Sequence, residues 1–226
     1  MKKQNIGKRA VHDQQKEERR QDILTTVWQL FQTTSYETVT IAGVAEAAGL
    51  AKGTIFLYFK TKEALFLALL EQQLGSWFAS IDAGLLALEG TGDILKITTL
   101  LCEQLASRPG LTRLLAILHT ILERNIHLDE AIRFKYLLKE HFEQTGHLLE
   151  RCLPFLKSGQ GAHALLQCDA LVIGFWHLSD TAPVVQQAFQ QPELHLFEIH
   201  FVTELSIAMQ ALLYGLEKSA QLPSQP

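Results

Sequence analysis

Basic side chains are concentrated at the start of the chain. Residues 1–62 carry ten Lys or Arg and six Asp or Glu, whereas residues 63–226 carry ten basic and eighteen acidic groups. The first segment therefore has a formal charge of +4 and the remainder −8, which together give the overall −4. Such a split indicates that only the first segment meets a polyanion. A solvated basic arm would show the same excess, so the charge alone does not choose between the two.

The residues that could act as nucleophiles, acids, bases or metal ligands do not form a known catalytic or metal-binding motif. The sequence has no G-x-S-x-G, P-loop, G-x-G-x-x-G or H-E-x-x-H motif. His195 and His200 are five residues apart, which does not place both on one helical face. Cys102, Cys152 and Cys168 lack the close spacing of zinc or redox motifs and are predicted to be buried, reduced thiols. We therefore predict no catalytic residue, no metal and no cofactor, and an enzyme is the disfavoured alternative.

The elements that position these groups are predicted to be helices alone. Apolar residues recur at helical spacing, and alternating strand-like runs are absent. The pattern predicts an all-α protein of about nine helices, at residues 16–34, 41–48, 52–59, 61–81, 94–107, 111–125, 130–153, 162–178 and 193–216. Asp93 and Asp129 are predicted to cap the helices that follow them.

The chain divides into four predicted regions. Residues 1–15 are predicted to be a mobile basic arm, 16–62 a small helical domain, 63–218 a larger helical domain, and 219–226 a frayed tail. No apolar run approaches the ~20 residues of a membrane span, and the charged start lacks the apolar stretch of a signal peptide. The sequence thus predicts a soluble cytoplasmic protein without a membrane partner.

Two short helices joined by a tight turn are predicted between Thr40 and Phe59. Thr40 precedes an amphipathic stretch as its N-cap, and Gly49 ends that stretch because glycine readily adopts the left-handed conformation of a helix C-cap. A second short helix begins near Lys52, with Ile55 and Phe59 available for the core. Such a pair forms a helix-turn-helix, whose second helix enters the DNA major groove.

This segment resembles the DNA-binding domain of the TetR family of bacterial repressors. The resemblance covers residues ~16–70, and the remainder is similar only in length and helical character. It implies that residues 16–62 form a DNA-binding domain and that residues 63–218 form a domain for ligand sensing and dimerisation. Phe56 stands where the family usually has a tyrosine and Ala51 where serine is common, so both hydroxyls are lost. The matching residues of the family pattern are Thr40, Val44, Ala45, Ala48, Gly49, Leu50, Gly53, Thr54, Ile55, Tyr58, Phe59, Lys62, Glu63 and Leu65.

The resemblance implies a set of contacts to double-stranded DNA. Thr40 and Lys62 are expected to meet phosphates, and Lys52 and Thr54 to reach base edges or phosphates. Leu57 is expected to touch a thymine methyl group. The implied DNA-binding residues are Thr40, Ala51, Lys52, Gly53, Thr54, Phe56, Leu57, Tyr58, Lys60 and Lys62, and Lys8, Arg9, Arg19 and Arg20 are expected to extend the phosphate contacts.

The resemblance also implies a homodimer that reads a palindromic operator. In the family, the last two helices pair with their copies in a second chain to form a four-helix bundle. A dimer places two helix-turn-helix motifs one helical turn of DNA apart. The predicted interface residues are Leu165, Val172, Phe197, Phe201, Leu205, Ala208 and Leu212.

A ligand cavity is expected among the middle helices, for a small and largely hydrophobic effector. Its aromatic rings are suited to a flat or cationic molecule, but the sequence shows no buried acidic partner, and His119, His141 and His177 are candidates for polar contacts or pH sensitivity. The predicted lining is Trp77, Phe78, Leu101, Cys102, Leu105, Ile117, His119, Phe134, Leu137, His141, Phe142, Phe175 and Trp176.

The implied mechanism is repression relieved by the effector. Binding would tilt the helix at residues 61–81 and move the two recognition helices off the operator. Two alternatives remain open from the sequence: a protein of the same fold without ligand regulation, constitutive or nucleoid-associated, and an activator in place of a repressor.

Overall fold

Helices account for all regular structure in the described part of the chain. The computed structural model describes residues 3–222, with side chains from Asp13 onward. The helices are α1 (Lys3–Thr33), α2 (Ile41–Ala47), α3 (Lys52–Tyr58), α4 (Lys62–Leu86), α5 (Ile94–Ala106), α6 (Pro109–Leu118), α7 (Leu128–Cys152), α8 (Gln160–Ser179), α9 (Pro183–Ala188) and α10 (Phe201–Gln221). Short 3-10 helices lie at Leu122–Asn125 and Pro192–Phe197. The predicted all-α fold is confirmed, with one more α-helix than expected over residues 3–222.

The first helix is longer than its apolar stripe predicts. α1 begins at Lys3 and not near residue 16. Residues 3–15 lack a core-facing pattern, but their Lys, Gln, Arg and Ala residues have high helix propensity. High propensity can extend a helix beyond its apolar stripe, which a periodicity argument misses. At the other end of the chain α10 continues to Gln221, and residues 223–226 lie outside the described part.

The predicted helix at residues 193–216 is wrong in its first third. Pro192 opens a 3-10 helix that ends at Phe197, and α10 starts afresh at Phe201. Leu196 and Phe197 are 83% and 57% exposed, so these two apolar side chains contribute little packing that would hold the segment in a longer helix. α9, at Pro183–Ala188, was not predicted.

Two of the three predicted caps have the expected geometry. Thr40 accepts a hydrogen bond from the backbone N–H of Gly43 at 3.0 Å, and Asp93 accepts one from Lys96 at 3.0 Å. The cap predicted at Asp129 is wrong by two residues. α7 begins at Leu128 with His127 as its N-cap, whose backbone N–H is bound by the side chain of Glu130 at 3.0 Å.

The apolar core runs from one domain into the other along α4. In the N-terminal domain Ile23, Val27 and Phe31 of α1 pack with Val44 and Ile55. α4 joins this cluster through its first turns and continues into the C-terminal domain, where it packs on α5, α6 and α7. The helix is therefore one rigid element that contacts both parts of the protein.

No single described helix is long and apolar enough to span a membrane. The short helices α2 and α3 meet that criterion only when taken together, across a 105° bend.

Candidate DNA interface and ligand cavity

α2 and α3 cross at the angle that a helix-turn-helix requires. Their axes differ by 105°, within the range of about 90–120° for this motif. Gly49 between them has φ +65°, a conformation that L side chains rarely adopt. The backbone N–H of Leu50 closes the corner by donating to the carbonyl of Ala45 at 2.8 Å. The predicted glycine C-cap and turn are confirmed.

The second helix divides cleanly into a buried and an exposed face. Ile55 is fully buried and Phe59 is 4% exposed, which confirms their predicted place in the core. Leu57, by contrast, is 72% exposed on the opposite side. Ala51, Lys52, Gly53 and Phe56 are exposed as well, and Thr54 and Tyr58 are half-buried. α3 therefore presents its first turn and its outer face to solvent.

Hydrogen-bonding groups flank this exposed face. The Thr40 hydroxyl accepts from Gly43, and its own O–H is left free to donate. The Lys60 ammonium lies 3.4 Å from the Phe56 carbonyl at the end of α3. Both residues are exposed.

Lys62 makes contacts within the protein that the motif does not indicate. Its ammonium group donates to the backbone carbonyl of Tyr36 and lies 4.0 Å from the centre of the Tyr36 ring. Burial lowers the pKa of Lys62. The Tyr36 hydroxyl in turn donates to Glu63 at 3.1 Å. Lys62 thus ties the α1–α2 connection to the start of α4 and does not project outward as a phosphate clamp.

The arginines of α1 also make contacts within the domain. The Arg20 guanidinium lies 5.4 Å from the centre of the Phe59 ring and 3.7 Å from Glu17. Arg19 pairs with Asp22 at 3.6 Å. The side chains of Lys8 and Arg9 lie outside the described residues.

A cavity of about 470 Å³ opens in the C-terminal domain between α4, α5, α6, α7, α8 and α10. Its volume lies in the range of small-molecule sites, about 300–1,000 Å³. Most of its wall is apolar. Six of the predicted residues line it: Trp77, Phe78, Leu101, Leu105, His119 and Phe142.

Seven predicted lining residues lie elsewhere: Cys102, Ile117, Phe134, Leu137, His141, Phe175 and Trp176. Phe134 is fully buried in the core. His141 stacks on Phe78, with the ring centres 4.6 Å apart, and Trp176 packs edge-on against Phe201. His177 has no place in the cavity either, since its Nε2 lies 3.1 Å from the Ala116 carbonyl. An apolar residue at helical spacing can face the core as readily as a cavity, which is why these predictions were wrong.

The cavity wall includes polar residues that the sequence did not indicate: Lys135, Lys139, Glu143, His163 and Asp169. Lys135, Lys139 and Phe142 are three or four residues apart on α7, a spacing that places them on one face. The spacing on α7 could therefore have indicated these residues, but charged residues on a helix ordinarily face solvent.

The three cysteines are buried and unbridged, as predicted. Cys168 lines the cavity, and burial raises the pKa of its thiol to about 12. In the described residues no group of three or more His, Cys, Asp or Glu side chains is arranged to hold a metal ion.

Family models match both domains of the chain. The description "Bacterial regulatory proteins, tetR family" covers residues 23–69, and "Tetracyclin repressor-like, C-terminal domain" covers residues 71–220. The chain belongs to the TetR family. It has the family's DNA-binding helix-turn-helix domain, followed by the larger helical domain that serves ligand binding in TetR-family regulators.

Solved structures of other regulators share this fold. AlkX from Dietzia sp. strain DQ12-45-1b is 18% identical, with a TM-score of 0.56, over 89% of this chain and 97% of that chain. FadR from Bacillus halodurans, a fatty acid degradation regulator, is 19% identical over 86% of this chain and 97% of that chain, with a TM-score of 0.53. FadR from Bacillus subtilis in complex with stearoyl-CoA is 19% identical over 85% and 96%, with a TM-score of 0.51. No curated protein matches the chain.

The interface predicted for a TetR-type dimer needs correction at three positions. Leu165, Val172 and Leu205 are buried within the protomer, and the first two line the cavity. Phe197 is exposed, and Phe201, Ala208 and Leu212 are half-buried. The buried three lie on the inward stripe of their helices, which the apolar pattern alone does not distinguish from an outward one.

A different apolar face is exposed on the last two long helices. On α8 the exposed apolar residues recur every fourth position, and on α10 Ile207 is 58% exposed. We call this surface the outer face; it consists of Leu166, Ala170, Gly174 and Leu178 of α8 and Ile207, Ala211 and Tyr214 of α10. Leu166 also lines the cavity.

α6 connects the cavity to the DNA-binding domain of this TetR-family protein. Leu115 and Leu118 contribute to the cavity wall. Arg113, on the same helix, donates to the backbone carbonyls of Phe31 and Thr34 at the end of α1. Gly110 lies under the Trp28 indole of α1, so closely that a Cβ there would be 2.4 Å from the ring.

Proposed function

We propose that this protein is a transcriptional repressor that binds a palindromic operator as a homodimer and is released when a small molecule fills the cavity. The observation that carries the proposal is the double role of α6. A helix of ten residues contributes to the cavity wall and also binds the end of α1, so a ligand that displaces α6 displaces the DNA-binding domain.

On the DNA side, α3 is the recognition helix. Its exposed outer face enters the major groove, with Lys52, Thr54 and Leu57 nearest the base edges. Thr40 and Lys60 contact phosphates on either side. The remaining contacts come from Ala51, Gly53, Phe56 and Tyr58. Lys62 supports this surface from within.

Dimerisation through the outer face supports the twofold symmetry of the operator. Apolar side chains that remain exposed on adjacent long helices are typical of a protein interface. Ala170 and Gly174 are small enough to let helices of two copies approach closely. Two copies then pair α8 and α10 into a four-helix bundle and hold two α3 helices at a fixed separation.

Release of DNA requires that the ligand bind two conformations with different affinity. α4 and α6 both line the cavity and both contact the DNA-binding domain. Their positions therefore set the spacing of the two α3 helices. FadR from Bacillus subtilis is in complex with stearoyl-CoA, which supports the idea that this fold accommodates a large effector.

The test begins with duplexes selected from a random library by the full-length protein. We expect a sequence with twofold symmetry, bound by a dimer. Lys52→Ala should weaken binding and make it less dependent on salt, whereas Lys157→Ala, which removes an exposed lysine from the C-terminal domain, should change neither. Failure to select any sequence would contradict the proposal.

A constitutive DNA-binding protein of the same fold would behave differently in one respect. Compounds that bind the cavity, detected by calorimetry, would leave operator affinity unchanged. Transcription from a promoter that contains the selected site distinguishes repression from activation.

A further inference from the structure

The cavity holds one carboxyl group that the protein leaves without a partner. Asp169 of α8 lines the cavity, and among residues 13–222 no hydrogen bond or ion pair reaches its side chain. Burial raises the pKa of Asp169, against the weaker opposite influence of His119 and Lys135. A partly buried carboxylate is costly unless a positive or hydrogen-bonding group compensates it.

The other charged groups of the wall are already paired. Lys139 lies 2.6 Å from Glu143, and Lys135 lies 2.5 Å from Glu123. Both lysine side chains are more than half exposed, at 60% and 53%. Glu123 also accepts His119 at 2.9 Å. The charge left over inside the site is therefore the negative charge of Asp169.

Aromatic rings line the same space. Trp77 and Phe78 pack with their ring centres 4.7 Å apart, and Phe142 lies 5.8 Å from Phe78 in an edge-to-face arrangement. The faces of such rings attract cations, most strongly where water is excluded.

We propose that the effector is a lipophilic organic cation, with its charged nitrogen against the Asp169 carboxylate and its apolar body against the aromatic and aliphatic wall of the cavity. The inference rests on the proposed function and specifies its ligand class. A fatty acid or another anionic amphiphile would place a second negative charge beside Asp169 and is disfavoured. A neutral molecule fills the apolar space but leaves the carboxylate uncompensated.

The experiment compares three probes that share one alkyl chain: decyltrimethylammonium, decanol and decanoate. Each is titrated below its micelle concentration into the full-length protein, and binding is followed by calorimetry. We expect the cation to bind at least tenfold more tightly than decanol, and decanoate to bind most weakly. Asp169→Asn should lower the affinity for the cation at least tenfold and leave that for decanol within about twofold.

A matched variant separates this effect from a general change in the charge of the protein. Glu140→Gln removes an exposed carboxylate of α7 that does not line the cavity, and it should leave the preference for the cation intact. Circular dichroism and thermal unfolding establish that both variants fold. Tighter binding of decanoate than of the cation, no binding of the cation, or an unchanged affinity in Asp169→Asn would overturn the inference.

Release of the selected operator is measured with the same three probes. Release by decanol or decanoate would overturn the ligand class and leave the proposed function standing. If the cation binds through Asp169 but operator affinity stays the same, the ligand class stands and ligand-dependent release is wrong.

Discussion

The guanidinium group of Arg113 lies 4.3 Å from the centre of the Phe31 ring and donates to the backbone carbonyl of the same residue. A second hydrogen bond of 3.1 Å reaches the carbonyl of Thr34. The last carbonyls of a helix have no partner within it. Here a side chain from the C-terminal domain binds them, so the end of α1 is capped across the domain boundary.

Replacing Arg113 should weaken the contact between α6 and the end of α1. Arg113→Ala removes two charge-assisted hydrogen bonds at a half-buried position, and we expect a loss of about 2 kcal/mol in the free energy of unfolding. Urea titration measures this. Arg124→Ala, at an exposed arginine of the 122–125 turn, is the control and should stay within about 0.5 kcal/mol. The effector should also change operator affinity less in Arg113→Ala than in the unchanged protein, and Arg124→Ala should not show this loss.

Gly110 tests the same contact by steric means. A Cβ at this position would lie 2.4 Å from Trp28, so Gly110→Ala should destabilise the protein by about 1–3 kcal/mol. Gly75→Ala is the matched control, since a Cβ there meets nothing within 4 Å. It should be neutral or stabilise α4 by up to about 1 kcal/mol. Equal unfolding midpoints for the two variants would show that α6 does not press on α1.

Substitutions of Lys62 and Lys52 should have different effects, the first on protein stability and the second on DNA affinity. Lys62→Ala removes a contact with Tyr36, and we expect a loss of about 1 kcal/mol in unfolding free energy with an unchanged salt dependence of DNA binding. Lys52→Ala should leave stability unchanged and reduce the slope of log affinity against log salt by about 1. The reverse pattern would show that Lys62 turns outward to a phosphate when DNA binds.

The DNA-binding domain was predictable because its determinants are local. Thr40 and Gly49 specify a cap and a turn through their own chemistry, and Ile55 and Phe59 follow from spacing within one short helix. Lys62 was not predictable, because its partner Tyr36 is 26 residues away and nothing in the motif indicates that contact.

The ligand cavity was predictable only in part, because it is formed by helices that are distant in sequence. Phe134 and Phe142 lie on the same helix, yet the first is core and the second is cavity wall. Which side of α7 faces empty space depends on how α8 crosses it. Nothing in the sequence likewise distinguishes Asp169, which lines the cavity, from a carboxylate on the solvated surface.

The outer face provides the last prediction, which concerns assembly. Ile207 is 58% exposed and stands on α10 beside Ala211. Ile207→Glu would bury a charge in the proposed dimer but removes little from the core of the protomer, so we expect dissociation in analytical ultracentrifugation with the helical content retained. Ile132→Glu is the matched control, because Ile132 is 46% exposed on α7, outside this surface. Since one helix-turn-helix alone makes a small contact, the Ile207→Glu monomer should also lose most of its affinity for a twofold operator. An Ile207→Glu protein that remains dimeric would show that the two copies meet through another surface.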